Sequence, residues 1–280
     1  MTDSRDHFAA YSFVDRIEAF EPGRSARATF GVPAGVPRFS SCLVAEAVGQ
    51  LAAWVSMDYR DYRGRPVAAL ATETHFLGDA VPGDTLELFV TLDHCDDETV
   101  AYGGTAHAAG RPLVALVDCL GPMLPVQDFD SPDALRARFA LLCNGGAPAG
   151  RFRGVAPAPV HVVERGDGTL RARLEVPADA PFFNDHFPRR PVYPATLLLD
   201  TLVDETLALA RGASWASHAR VAPARVVNVK MRSFIAPGQA LDLALDVKPP
   251  VDGLAKASMQ ASTDGRVVGG ARLEMQVHHD

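Results

Sequence analysis

The sequence predicts an α+β protein made of two copies of one unit, each an antiparallel sheet wrapping a long central helix. Three observations carry that expectation. A long apolar helix followed by consecutive alternating strands occurs twice, with a period of about half the chain. A Pro-Gly step opens a strand downstream of each helix, in Pro82-Gly83-Asp84-Thr85-Leu86-Glu87-Leu88 and in Pro237-Gly238-Gln239-Ala240-Leu241-Asp242-Leu243. A Gly/Pro/Ala-rich stretch lies between the copies. The expected division is a first unit over residues 1–144 with a short trailing helix, a linker over 145–159 and a second unit over 160–280.

In chain order, Ser25–Phe30 alternates small or polar residues and predicts a strand. A Gly/Pro-rich turn leads to a helix over Ser41–Tyr59 that is apolar on nearly every face, through Leu43, Val44, Ala47, Val48, Leu51, Trp54 and Val55. A helix hydrophobic all round belongs inside a protein, wrapped by other structure. Strands are expected at Val67–Phe76, Thr85–Asp93, Thr99–Ala106 and Pro112–Leu120. Ser131-Pro132-Asp133 then opens a short helix, with Ser as N-cap and Pro at the first helical position, which ends near Asn144-Gly145-Gly146. The second unit repeats the order. Strands fall near Val160–Glu164 and Leu170–Val176, a helix runs over Pro194–Arg211, and strands follow at Arg225–Phe234, Leu241–Val247, Ala255–Ser262 and Val267–Val277. His278-His279 reads as an exposed tail.

With 280 residues, 48% of them hydrophobic, the chain can build two substantial cores. No apolar run reaches membrane-spanning length, and Met1–His7 lacks the basic-then-apolar layout of a signal peptide. Cys42, Cys95, Cys119 and Cys143 show no metal or redox spacing, which suits buried thiols in a reducing compartment. A net charge of −7 argues against nucleic acid as a partner, while a local basic patch would still receive an acidic protein. A cytoplasmic location is expected, with no metal and no cofactor.

The chemistry gathers in Pro181-Phe182-Phe183-Asn184-Asp185-His186-Phe187-Pro188-Arg189-Arg190-Pro191-Val192-Tyr193-Pro194-Ala195-Thr196-Leu197-Leu198-Leu199-Asp200. This segment sets one histidine in a Phe/Pro-rich turn ahead of an apolar helix that carries an acid. A histidine and a carboxylate against an apolar wall form a general acid/base pair. In the first unit, Glu46 and Gln50 stand four apart on one face of an apolar helix, where a carboxylate needs a partner or a task. Asp200 and Asp204 repeat that spacing in the second helix.

The string resembles the signature of the β-hydroxyacyl-acyl-carrier-protein dehydratases, a hotdog-fold family that reads roughly F-F-x-G-H-F-P-x-x-P-x-x-P-G-x-L-x-x-E/D. Ser41–Gln50 is similar to the family's helix, with its Glu-Ala-x-x-Gln. Asp185 and Ala195 stand where the family has glycine. The resemblance implies a tandem double hotdog that mimics the dimer of single-hotdog relatives. It also implies that the histidine of one unit pairs with the carboxylate of the other, so His186 is expected to work with Glu46. Asp200 would face the turn Gly31–Phe39, which holds no histidine.

The activity implied is dehydration of a 3-hydroxyacyl thioester to the trans-2-enoyl product, in fatty acid or polyketide-type biosynthesis. His186 and Glu46 are the expected catalytic pair, supported by Gln50, by Asp200 and by the free N–H groups at Ala195 and Thr196, which would hold the thioester carbonyl. The partner would be an acyl carrier protein bearing a phosphopantetheine-linked acyl chain, or acyl-CoA. Arg189 and Arg190 are either plain surface charge or a carrier-docking patch. Asp200 leaves isomerisation to the cis-3-enoyl product open, and self-association is open too. Two alternatives stay open as well: a thioesterase on the same fold, and a non-catalytic carrier-binding subunit.

Overall fold

The computed structural model describes residues 7–279; Met1–Asp6, most of the segment read above for a signal peptide, lie outside the described residues. The first half holds β1 (Arg16–Glu21), β2 (Ser25–Gly31), α1 (Ser41–Tyr59), β3 (Gly64–Pro66), β4 (Leu70–Phe76), β5 (Thr85–Cys95), β6 (Thr99–Ala108), β7 (Arg111–Pro125) and α2 (Pro132–Asn144). The second half holds β8 (Val160–Arg165), β9 (Thr169–Glu175), α3 (Ala195–Arg211), β10 (Ala219–Met231), β11 (Ala240–Val251), β12 (Leu254–Thr263) and β13 (Arg266–His279).

Read inward from its outer edge, the first half orders its strands β1-β2-β5-β6-β7-β4 and the second β8-β9-β11-β12-β13-β10. The strand orders correspond one to one; β3, which pairs with β7, and α2 are additions of the first half. The halves meet where β4 pairs antiparallel with β10, with Thr74 opposite Val226, so two antiparallel sheets continue into one. This is the expected α+β hotdog architecture in duplicate.

Burial follows from alternation. In β5, Leu86, Leu88, Val90 and Leu92 point inward, and in β11 Leu241, Leu243, Leu245 and Val247 do the same. Those inward faces receive α1 and α3, which also pack on each other. The Ser40 hydroxyl starts α1 by accepting from Leu43 N–H (3.3 Å). The Pro-Gly steps are equivalent turns. Gly83 (φ 98°) and Gly238 (φ 77°) sit in the left-handed region, which glycine reaches without a Cβ clash. Their N–H groups donate to Val32 (2.9 Å) and Pro177 (3.1 Å).

Two sequence expectations need correction. The expected tail is part of β13, where His278 pairs with Arg220. Strand β1 was not foreseen, because Ile17 is its one fully buried side chain and no apolar alternation marks it.

Candidate active site

His186 follows a short 3-10 turn, Pro181–Asn184, whose Phe182 and Phe183 are buried. Its backbone N–H donates to the Phe182 carbonyl (2.9 Å), and its carbonyl accepts from Val192 N–H (3.0 Å). The ring stacks on Phe187, with centroids 4.2 Å apart. Nδ1 lies 3.1 Å from the Val192 carbonyl oxygen, a contact that needs the proton on Nδ1 and leaves the lone pair on Nε2. Burial lowers the imidazole pKa and Arg65 adds to the effect, while Glu46 and the Val192 carbonyl oppose it. The result is a neutral ring with a free basic nitrogen.

Glu46 comes from the other half, on α1. Its Oε1 accepts from Gln50 Nε2 (3.0 Å), one turn further along the same helix face. Its Oε2 accepts from the Thr196 hydroxyl of α3 (2.8 Å). Gln50 is itself fixed, donating to the Tyr11 carbonyl (2.9 Å) and accepting from Phe13 N–H (2.7 Å). The carboxylate is therefore held from two sides, as a group with one orientation to keep.

Both His186 and Glu46 line a single cavity of about 410 Å³ between α1 and α3, walled by Trp54, Met57, Leu199 and Ile235. Its size and apolar walls suit an acyl chain. Ala195 and Thr196 also face it. They open α3, whose first turn has no side-chain cap; Leu197 N–H donates to the Pro194 carbonyl (3.1 Å), and the Ala195 and Thr196 N–H groups lie at the positive dipole end beside the cavity.

Asp200 takes a different place. It occupies the sixth position of α3, as Glu46 does of α1, but it faces the turn before α1 and pairs with Arg38 (3.1 Å). Arg38 also binds Asp204 (2.5 Å). Burial raises the Asp200 pKa, against the pull of Arg38. The equivalent of the His186 site is thus filled by a salt bridge. Arg189 and Arg190 are exposed: the Arg189 guanidinium donates to the Gln127 carbonyl (3.0 Å), and Arg190 lies over the Phe234 ring (4.6 Å) at the cavity wall.

The structure adds residues that the sequence did not single out. Tyr11 donates its hydroxyl to Thr196 (2.8 Å), and Asp185 is buried against the segment that carries Tyr11. Arg65 lines the cavity with its guanidinium over Phe187 (4.3 Å) and an ion pair to Asp130 (3.9 Å). The departure of Asp185 from the family glycine was the one sequence signal pointing this way.

Comparison with known proteins sets this site in context. Residues 160–272 match the family model of the FabA-like domain. A 3-hydroxyacyl-[acyl-carrier-protein] dehydratase FabZ of Pseudothermotoga lettingae is 31% identical over 117 residues, which span 40% of this chain and 79% of that protein. The chain belongs to the hotdog dehydratase family. The sequence match to the family falls on the half that carries His186. Solved structures share the fold across both halves. The dehydratase domain of PpsC from Mycobacterium tuberculosis, in complex with C12:1-CoA, superposes with a TM-score of 0.55 at 15% identity, covering 96% of this chain and 100% of that one. An acyl-CoA thioesterase II, TesB2 of Mycobacterium marinum, also superposes with a TM-score of 0.55 at 14% identity, covering 94% and 95%. The fold is therefore common to dehydratases and thioesterases, and function must be argued from the site.

Proposed function

We propose that this protein dehydrates a 3-hydroxyacyl thioester to the trans-2-enoyl thioester. The observation that carries the reading is the placing of His186 and Glu46, from opposite halves, in one apolar cavity, with His186 Nδ1 against the Val192 carbonyl and the lone pair therefore on Nε2. In the proposed reaction, Nε2 removes a proton from C2 and the electron pair forms the C2–C3 double bond. The C3–O bond breaks, and Glu46, in its protonated form, gives its proton to the departing hydroxyl, which leaves as water. N–H groups at Ala195 and Thr196 polarise the thioester carbonyl while charge develops on its oxygen. Proton transfer between two side chains completes the chemistry.

The FabZ relative's name supports an acyl carrier protein as the source of substrate, and the PpsC complex supports a CoA thioester. Arg189 and Arg190 would receive the acidic carrier or the phosphate of its phosphopantetheine arm. Two functional halves, 1–144 and 160–280 about a linker over 145–159, belong to the same proposal, as does work in the cytoplasm; no helix among the described residues is long and apolar enough to cross a membrane.

The test is a panel of 3-hydroxyacyl and enoyl thioesters, on carrier protein and on CoA, read by mass spectrometry. Loss of water from the 3-hydroxyacyl thioester, or hydration of the enoyl thioester, is the expected result. Free acid would make the protein a thioesterase. Tight carrier binding without any product would make it a non-catalytic subunit.

A further inference from the structure

The residue that replaces the family glycine before the catalytic histidine is not idle. The Asp185 side chain is buried and accepts hydrogen bonds from Phe8, Ala10, Tyr11 and Ser12 of segment 7–12. Oδ2 receives Ala10 N–H (2.9 Å), Tyr11 N–H (2.6 Å) and the Ser12 hydroxyl (3.2 Å). Oδ1 receives Phe8 N–H and lies 3.3 Å from His7 Nδ1. Three backbone donors that would otherwise need water are satisfied by one carboxylate. A glycine at this position could hold none of them. Phe8, Tyr11 and Ser12 then form part of the cavity wall.

Tyr11 is the residue that this seat delivers. Only 2% exposed, it touches each member of the proposed catalytic pair or its support. Its hydroxyl donates to Thr196, which donates on to Glu46; its carbonyl accepts from Gln50, which also holds Glu46; its ring meets the His186 ring edge-on at 5.7 Å. One residue thus ties the acid's two supports to the base. Such a chain fixes the carboxylate more firmly than its pairwise bonds would suggest.

We infer that segment 7–12 is a strap seated on Asp185, and that it makes Tyr11 a positioning residue for the Glu46–His186 pair. The inference rests on the dehydratase reading for the step that Tyr11 serves, and on geometry alone for the seat. A strap placed this way aligns groups for the reacting geometry and adds little to the binding of the acyl chain. Its loss should therefore appear in kcat rather than in KM.

The experiment compares wild type with Tyr11→Phe, Asp185→Gly and Asp185→Asn, measuring kcat and KM on a 3-hydroxyacyl thioester and hydrogen exchange at the Ala10 and Tyr11 amides. Tyr11→Phe should lower kcat about tenfold with KM unchanged and both amides still protected, since only the hydroxyl link is cut. Asp185→Gly should lower kcat at least as far and release both amides to fast exchange. Asp185→Asn keeps one accepting oxygen and should restore part of both. Wild-type kcat in Tyr11→Phe would overturn the positioning role. Protected amides in Asp185→Gly would overturn the seat. Wild-type protein that turns over no thioester would sink the dehydratase reading and the role given to Tyr11 with it, and amide exchange would still decide the seat.

Discussion

The Thr196 hydroxyl donates to Glu46 Oε2 across 2.8 Å, so the first turn of one central helix holds the carboxylate of the other. The pseudo-symmetric pair is Cys42 and Asp200, in which a thiol stands in place of the hydroxyl and lies against the second carboxylate. The two sites share a carboxylate at the same helix position and differ in what surrounds it. One has a histidine, a hydroxyl and a cavity. The other has Arg38 across its carboxylate.

The first prediction follows from that asymmetry. His186→Ala removes the proposed base and Glu46→Gln the proposed acid, and each should lower dehydration about 10²-fold or more, a usual scale for general acid–base catalysis. Asp200→Asn should cost far less, because its carboxylate is engaged by Arg38. Steady-state turnover of the three variants tests this. Loss of activity in Asp200→Asn with retention in Glu46→Gln would reverse the assignment.

The second concerns pH and rate. His186 must be neutral to act as base, and burial holds its pKa below the ordinary 6.5. The acid limb of kcat/KM should then be centred below that value. A limb centred above 6.5 would mean that the Glu46 charge outweighs burial.

Much of this was legible in the sequence, for physical reasons that differ between elements. The α1 boundaries, Ser41–Tyr59, could be read because a fully wrapped helix is apolar on all sides and Ser40 caps it. His186 stood out because its turn needs two aromatic anchors and several prolines around one polar group. Tyr11 did not, since nothing in its neighbours shows that a segment far along the chain will receive it. Asp185 was visible as a departure from a pattern, and only coordinates could show that the departure has five partners. Strand β3 was missed because three residues carry no periodicity.

A third prediction uses His7, which lies 3.3 Å from Asp185 and 3.4 Å from Asp130. Burial opposes its charge, but the hydrogen bonds and charges of the two aspartates prevail and push the imidazole up to about 9. A raised folded-state pKa stabilises the fold fully below the ordinary 6.5, and the contribution is lost as pH rises through about 9. The shift corresponds to at most about 3 kcal/mol. In urea unfolding, the stability gap between wild type and His7→Gln should be largest near about pH 6 and should shrink by about pH 10. A gap that does not change with pH would show that His7 acts through packing alone.

The last prediction concerns how closely α1 sits on its sheet. Gly104 of β6 lies under the helix, and a Cβ built there would come within 2.6 Å of Val48 Cγ1 and 2.5 Å of the Phe89 carbonyl oxygen. The carbonyl belongs to the neighbouring strand and cannot swing aside, and Val48 is fully buried, so both the ladder and the helix would have to shift. Overpacking of this kind costs about 1–3 kcal/mol. Gly104→Ala should lower the melting temperature accordingly. It should also reduce turnover, because Val48 lies two residues from Glu46 on the same helix and a displaced α1 carries the carboxylate with it. By contrast Gly110→Ala, where a Cβ would meet open space at a left-handed φ of 74°, should lower stability through backbone strain and leave kcat untouched. Calorimetry and turnover on the two variants separate the cases. A Gly104→Ala protein as stable and as active as wild type would mean that the helix rides on the sheet more loosely than the packing requires.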